Sequence, residues 1–282
     1  MGLNTSFGNI FQGTREFDTL TGDSGPDQIF AYEGDDTLRG LQGNDVLLAG
    51  SGDDVLNGGA GDDVLDGGSG INLLSGGDGN DVLLAGPDAN LMLGGDGADQ
   101  LVGNNGVDAM LGGAGDDVLF GGRGTDAVIG GAGADVLDTG MGLGVHHGGE
   151  GSDTFRIGND ILDNGQADRI IALDFTAGED LLELGDGIIE AVTGVQDAEI
   201  DLSPVVQAVE DSGLVDVESL AAHLGALEGG GTLAAEAGGA LSFFTPDTAG
   251  NVTAAGASVF LRDGDRIDVV GVSREALLGV IG

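Results

Sequence analysis

The chain has 282 residues, 59 of them Gly, and sets 8 basic against 49 acidic residues for a formal charge of -41. Such a charge excludes nucleic acid and anionic membrane surfaces as direct partners, because both carry the same sign. It also opposes compaction, so folding calls for something that neutralises the acids, and a divalent cation held by oxygens is the obvious agent.

From Asn4 the chain can be written in rows of nine, and the register holds without insertion or deletion over residues 4–156. Residues 58–66 read GGAGDDVLD, 76–84 GGDGNDVLL and 112–120 GGAGDDVLF. The pattern is G-G-x-G-x-D-x-U-x, where U is large and apolar. The first six residues are rich in Gly and must turn, because Gly tolerates positive φ and leaves its carbonyl unobstructed. The last three form a short strand in which the eighth side chain points one way and the seventh and ninth the other. The eighth position carries Leu20, Ile29, Leu38, Leu47, Leu56, Leu65, Leu74, Leu83, Met92, Leu101, Met110, Leu119, Val128, Leu137 and Phe155, with His146 as the exception. These face the core. One row cannot bury its own Leu; a stack of rows can.

The sixth position carries Asp18, Asp27, Asp36, Asp45, Asp54, Asp63, Asp81, Asp99, Asp108, Asp117, Asp126, Asp135 and Asp153, with Asn72, Asn90 and Gly144 as departures. With Gly at fixed offsets, this nonapeptide resembles the RTX family of secreted calcium-binding repeat proteins, whose signature it is. The resemblance implies an all-β fold: a right-handed parallel β-roll in which two rows make one coil. Calcium would lie between same-side turns of rows n and n+2, held by Asp carboxylates and by backbone carbonyls. The residues so implied are the sixth-position aspartates above and the turn glycines Gly43, Gly58, Gly61, Gly76, Gly79, Gly94, Gly97, Gly112, Gly115, Gly130 and Gly133. Oxygen-only ligation suits a hard cation. With no Cys in the chain, a thiolate site and a disulfide scaffold are both excluded.

If alternate rows stack, the two sides can be read separately. One side has Asp27, Asp45, Asp63, Asp81, Asp99, Asp117, Asp135 and Asp153, and every one of its rows keeps Gly at the first and fourth positions. The other has Asp36, Asp54, Asn72, Asn90, Asp108, Asp126 and Gly144, with Pro87 and Asp88 inside one turn. The first column is expected to bind calcium continuously. The second should bind at its early turns and between Asp108 and Asp126. Neighbouring carboxylates at the ~5 Å strand spacing repel by roughly 3 kcal/mol at an effective dielectric of about 20. Without metal the roll should be largely unfolded. Asp35, Asp53, Asp62 and Asp116, at the fifth position, are expected to add negative potential rather than ligate.

Outward ninth positions hold Leu84, Val102 and Phe120 on one sheet and Leu93, Leu111 and Ile129 on the other, which suggests a docking face. Periodicity stops near residue 156, so residues 4–156 read as the roll and 157–282 as a C-terminal cap of strands and short helices. Strands are expected over 169–175, 181–184, 241–244, 257–261 and 267–270. Ser203-Pro204 looks like a helix start, 217–227 has helical spacing, and Ser273 should cap a final helix. The stretch 168–184 resembles the segment that closes the roll in RTX exoproteins, and the family implies an uncleaved C-terminal signal for type I secretion. Consistent with this, the first 20 residues lack a cationic start followed by an apolar run. No stretch approaches ~18 uninterrupted apolar residues, so no transmembrane helix is expected.

The repeat starts almost at Met1, leaving no room for a catalytic domain, and neither H-E-x-x-H nor G-x-S-x-G occurs. The expected function is therefore a non-enzymatic extracellular or cell-surface calcium-binding protein. It would fold on calcium after type I secretion and act structurally or adhesively, through a surface glycan or protein partner. The alternative is an accessory or carbohydrate-binding module of an extracellular enzyme system. His146 reads as a structural irregularity in the core, the alternative being a transition-metal site with Glu150.

Overall fold

The computed structural model describes residues 8–158, 161–162, 168–185, 188, 192–201, 253–261, 264–270 and 272–281. Each row contributes one short strand, and alternate rows build opposite sheets. The first sheet stacks Asn9–Gln12, Asp27–Glu33, Val46–Ser51, Val64–Ser69, Val82–Leu84, Gln100–Val102, Val118–Phe120, Val136–Asp138 and Thr154–Ile157 in chain order. The second stacks Thr19–Thr21, Thr37–Gln42, Val55–Ala60, Asn72–Asp78, Asn90–Asp96, Asp108–Ala114, Arg123–Ala132 and Met141–Glu150. Pairing is parallel, and each residue faces the one two rows on: Leu47 opposite Leu65, Leu38 opposite Leu56, Met92 opposite Met110. Two rows therefore make one coil, and the chain is a parallel β-roll.

The eighth-position side chains form one continuous file between the sheets, from Ile29 to Leu137, all fully buried or nearly so. This is the burial that no single row achieves. Fourth-position glycines make the stacking tight. Gly61 has φ +131°, and a Cβ there would collide with the Gly43 carbonyl of the coil before.

The two outer faces differ. Leu84, Val102 and Phe120 on the first sheet are half-buried, flanking buried eighth-position residues. On the second sheet the outward Leu73, Leu91, Leu93, Ala109, Ala127, Ile129 and Val145 are buried, while Leu111 is half-buried. Of the outward residues expected to form a docking face, Leu93 and Ile129 are buried, while Leu111, Leu84, Val102 and Phe120 are half-buried.

Both sheets continue past the nine-residue rows. Leu181–Leu184 pairs with Thr154–Ile157. Arg169–Ala172 joins the second sheet, followed in space by Arg266–Val270, Thr253–Leu261 and Val192–Asp201, the last two pairings antiparallel. A second apolar cluster forms there around Phe155, Ile170, Phe175, Val259, Ile267 and Leu277. Leu277 lies on a closing helix, Arg274–Ile281, whose Ser273 Oγ accepts the Ala276 N–H at 3.3 Å. The strand expected over 169–175 ends at Ala172. Beyond it the Asp174 carboxylate turns to accept the N–H groups of Gly148 and Gly149, both at 2.8 Å. The helix start at Ser203-Pro204, the helix over 217–227 and the strand over 241–244 lie outside the described residues. Among the described residues no helix is long and apolar enough to cross a membrane.

Candidate metal centre

Because the rows repeat without slippage, the turns bring the sixth-position aspartates into two columns. Within a column each carboxylate uses one oxygen structurally. Asp27 donates its backbone N–H to Asp45 Oδ1 (2.8 Å), Asp45 to Asp63, Asp63 to Asp81 and Asp81 to Asp99 (each 2.7 Å). Asp99, Asp117 and Asp135 continue the ladder to Asp117, Asp135 and Asp153. On the other side Asp18 donates to Asp36 and Asp36 to Asp54, both at 2.7 Å. A charge-assisted bond at every coil joins the turns without using the second carboxylate oxygen.

That second oxygen identifies the centre. Oδ2 of Asp36, Asp45, Asp54, Asp63, Asp81, Asp99, Asp108, Asp117 and Asp135 is buried and meets no hydrogen-bond donor. A buried carboxylate oxygen left in this state is costly. Another acceptor lies on the same side of the turn. A Cβ placed on Gly40, Gly58, Gly76, Gly94 or Gly112 would press at once on Oδ2 of that row's Asp and on the carbonyl of Gly58, Gly76, Gly94, Gly112 or Gly130 respectively. Two acceptors aimed at one point cannot satisfy each other, but both suit a cation. Fourth-position carbonyls stack likewise: those of Gly43, Gly61, Gly79, Gly97 and Gly115 each lie against the fourth glycine of the next coil, from Gly61 to Gly133. Among the described residues no three His, Asp or Glu side chains converge on one point. A cation in these turns would thus take many of its oxygens from the backbone, which fits a hard ion.

Electrostatics agree with the geometry. Burial, reinforced by neighbouring carboxylates, raises Asp63 and Asp81 to about 7 and Asp117 to about 8. Burial is also the largest cause at Asp45, Asp54, Asp99 and Asp135, raised to about 6, at Asp126, raised to about 7, and at Asp108, raised to about 8. Asp36 and Asp153 move upward for the same reason. Burial thus disfavours the charged form of each carboxyl, and a nearby positive charge would favour it.

The column ends differ from the interior. Asp18 Oδ2 accepts the Thr14 N–H, Asp27 Oδ2 the Asp23 N–H and Asp180 Oδ2 the Thr176 N–H, each at 2.6 Å. Here the turn satisfies its own carboxylate with an N–H four residues earlier. Asp180 extends the first column beyond the expected set, because Asp153 donates its N–H to Asp180 Oδ1 at 3.0 Å. The sequence does carry a signal for it: Gly178, Asp180 and Leu182 keep the fourth, sixth and eighth positions of a further row, 27 residues after Asp153. Asp168 and Asp265 likewise form a rung at 2.8 Å, each heading the same tripeptide, D-R-I.

In the second column Asn72 and Asn90 do not break the ladder. Asp54 donates to Asn72 Oδ1 (3.0 Å), Asn72 to Asn90 Oδ1 (3.1 Å) and Asn90 to Asp108 Oδ1 (3.0 Å). An amide oxygen also accepts, at the longer distance of a neutral bond, so these positions change the charge of the column without breaking its backbone ladder. Asp108 then donates to Asp126 at 3.0 Å. At Gly144 there is no side chain to continue, and here the register changes: Gly144 faces Ile170, 26 residues on instead of 18.

The fifth-position residues have a role that composition did not reveal. Asp53, Ile71, Asn80 and Ala134 donate their N–H groups to Asp35, Asp53, Asp62 and Asp116 of the coil before. This exposed ladder runs opposite to the buried one. His146 is fully buried, its ring 5.9 Å from that of Phe155, and Nε2 accepts the Thr139 N–H at 2.9 Å. Burial pushes its pKa down to about 3, so it is a neutral core residue, while Glu150 is exposed.

A family model described as RTX calcium-binding nonapeptide repeat (4 copies) matches residues 12–47, 39–74, 66–101, 75–110 and 102–137. No curated protein matches the chain.

Proposed function

Since residues 12–137 are RTX calcium-binding repeats, we propose that the two aspartate columns are their calcium sites and that the chain is an extracellular protein that folds on calcium after type I secretion. The observation that carries this reading is the set of buried, donor-less Oδ2 atoms of Asp36, Asp45, Asp54, Asp63, Asp81, Asp99, Asp108, Asp117 and Asp135. Bound there, Ca²⁺ supplies positive charge and accepts roughly six to eight oxygen ligands. The chain provides Oδ2 from each Asp, the facing carbonyls of Gly58, Gly76, Gly94, Gly112 and Gly130, and the stacked carbonyls of Gly43, Gly61, Gly79, Gly97, Gly115 and Gly133. Asp18, Asp27, Asp126 and Asp153 complete the ligand set at the margins. At the interior aspartates Oδ1 stays on a backbone N–H of the neighbouring coil, which fixes the carboxylate's orientation.

Extracellular modules commonly bind calcium at about 10⁻⁴–10⁻³ M. In low-calcium cytoplasm this chain would stay open and able to thread a type I channel, then fold outside. Far-UV circular dichroism tests the reading. Near about pH 8, EDTA-treated protein is expected to give a disordered spectrum and millimolar calcium to restore the β signal; a calcium-insensitive spectrum at that pH sinks it.

A structural or adhesive role is supported by the half-buried apolar outer face of the first sheet, where Leu84, Val102 and Phe120 lie side by side and Val82 and Val118 flank the exposed Gln100. An accessory carbohydrate-binding role is the second reading. A glycan array probed in calcium separates the two: selective polysaccharide binding supports the second reading and general surface retention the first.

A further inference from the structure

The centre of the second column is built differently from every other part of the roll. At interior aspartates Oδ2 has no donor, but at Asn72 and Asn90 the same place holds an amide NH₂. Asn72 Nδ2 donates to the Gly70 carbonyl at 3.2 Å, and Asn90 Nδ2 donates to the Asp88 carbonyl at 2.6 Å and to Asp108 Oδ1 at 3.0 Å. Gly70 and Asp88 stand at the fourth position of their rows, whose carbonyls elsewhere stack against the fourth residue of the next coil. The turn containing Pro87 is rebuilt to match. Gly52 and Gly61 give their N–H groups to the carbonyls of Ser69 and Asp78 in the next coil, but Gly70 gives its own to Asp88 Oδ2 at 2.9 Å. Both amide side chains are fully or almost fully buried.

We propose that Asn72, Asn90 and Asp88 form an amide plug that stands in for calcium at the middle of the second column. The proposal rests on the calcium reading above. A neutral NH₂ satisfies the turn carbonyls that a cation would otherwise hold, and it removes the like-charge neighbours of an all-aspartate column. The plug divides the second column into an early block, Asp18, Asp36 and Asp54, and a late block, Asp108 and Asp126. It also gives the roll a central segment that closes without metal. The strands it joins, Asn72–Asp78 and Asn90–Asp96, are buried at five successive positions each, so apolar contact supports the segment from the sheet side. Calcium would then load outward from a centre that is already ordered.

The test counts bound calcium and follows amide exchange in the same proteins. Native chain, the N72D/N90D double variant and the N72A/N90A double variant are dialysed against millimolar calcium, and metal is measured by plasma emission. N72D/N90D is expected to gain about one ion at each altered turn, and N72A/N90A to keep the native count. In EDTA, the native amides of residues 72–75 and 90–93 should exchange at least about ten-fold more slowly than those of 82–84 and 100–102. Both double variants should lose that difference. A native protein that binds calcium, with an unchanged count in N72D/N90D and uniform exchange in EDTA, overturns the plug. Native protein that binds no calcium overturns the calcium reading instead. Should N72D/N90D fail to fold, the native exchange pattern and the alanine variant decide the matter alone.

Discussion

Asp81 in the roll and Asp268 in the cap are equally inaccessible to water, with 1% and 0% of their surface exposed. Asp268 is surrounded by the chain's own donors: Arg169 Nε at 2.7 Å, Arg266 Nε at 2.5 Å and the Ser258 hydroxyl at 2.5 Å. Asp81 has only the Asp63 N–H, on one oxygen. The cap neutralises its buried acid with arginine, whereas the roll leaves its acids for something outside the chain. The cause lies in the turns. At Gly61 even a Cβ would collide with the Gly43 carbonyl, so that turn position cannot itself carry a cationic side chain. A bare ion and backbone oxygens are the compact solution. The difference predicts that Asp268 needs no ion, whereas on the calcium reading the roll needs one wherever its buried acids ionise.

The two regions should part most visibly under pH. Metal-free folded Asp63, Asp81 and Asp117 have pKa values raised to about 7, 7 and 8 from 3.8. The folded state therefore holds protons that the unfolded state has already lost, and stability must fall as pH rises between the two values. In EDTA, thermal melts should show a folded roll near about pH 5 and none near about pH 8. In calcium the order reverses, because the ion needs deprotonated carboxylates. A metal-free roll that gains stability with rising pH would contradict the assignment.

Asp268→Ala should cost about 3 kcal/mol by removing the buried carboxylate that Arg169, Arg266 and Ser258 share. Its effect on Tm should not vary with calcium concentration. Asp81→Asn copies Asn72 and should act with opposite signs, losing about 2 kcal/mol in calcium through a lost ion while raising stability in EDTA. A loss in both buffers would mean that the carboxylate matters only for packing. The smallest effect is expected at Asp116→Ala, which removes one exposed rung to the Ala134 N–H. Under about 1 kcal/mol should be lost, equally with and without calcium.

Much of the centre is legible in the order of residues alone. Asp45, Asp63, Asp81, Asp99, Asp117 and Asp135 fall in one column because their spacing of two rows equals the parallel pairing offset. Asp180 escapes the pattern because the nine-residue register lapses after 156, although Gly178 and Leu182 preserve the row around it. Asp35, Asp53, Asp62 and Asp116 look like loose charge, since nothing in a fifth-position Asp announces that it will accept an N–H from the coil after it.

The sequence by itself determined the period and the inward file from Ile29 to Leu137. The period and the inward file follow from side-chain type at a fixed spacing, whereas the two columns need the two-row coil that the resemblance implied and the strand pairing shows. Only the tertiary structure decided which carboxylate oxygen is used and which is left over. It also decided that Asn72 and Asn90 carry the backbone ladder onward, and that one outer face is covered and the other half-open. Those outcomes depend on which donors and carbonyls from neighbouring coils arrive at the same point, and spacing along the chain does not encode that.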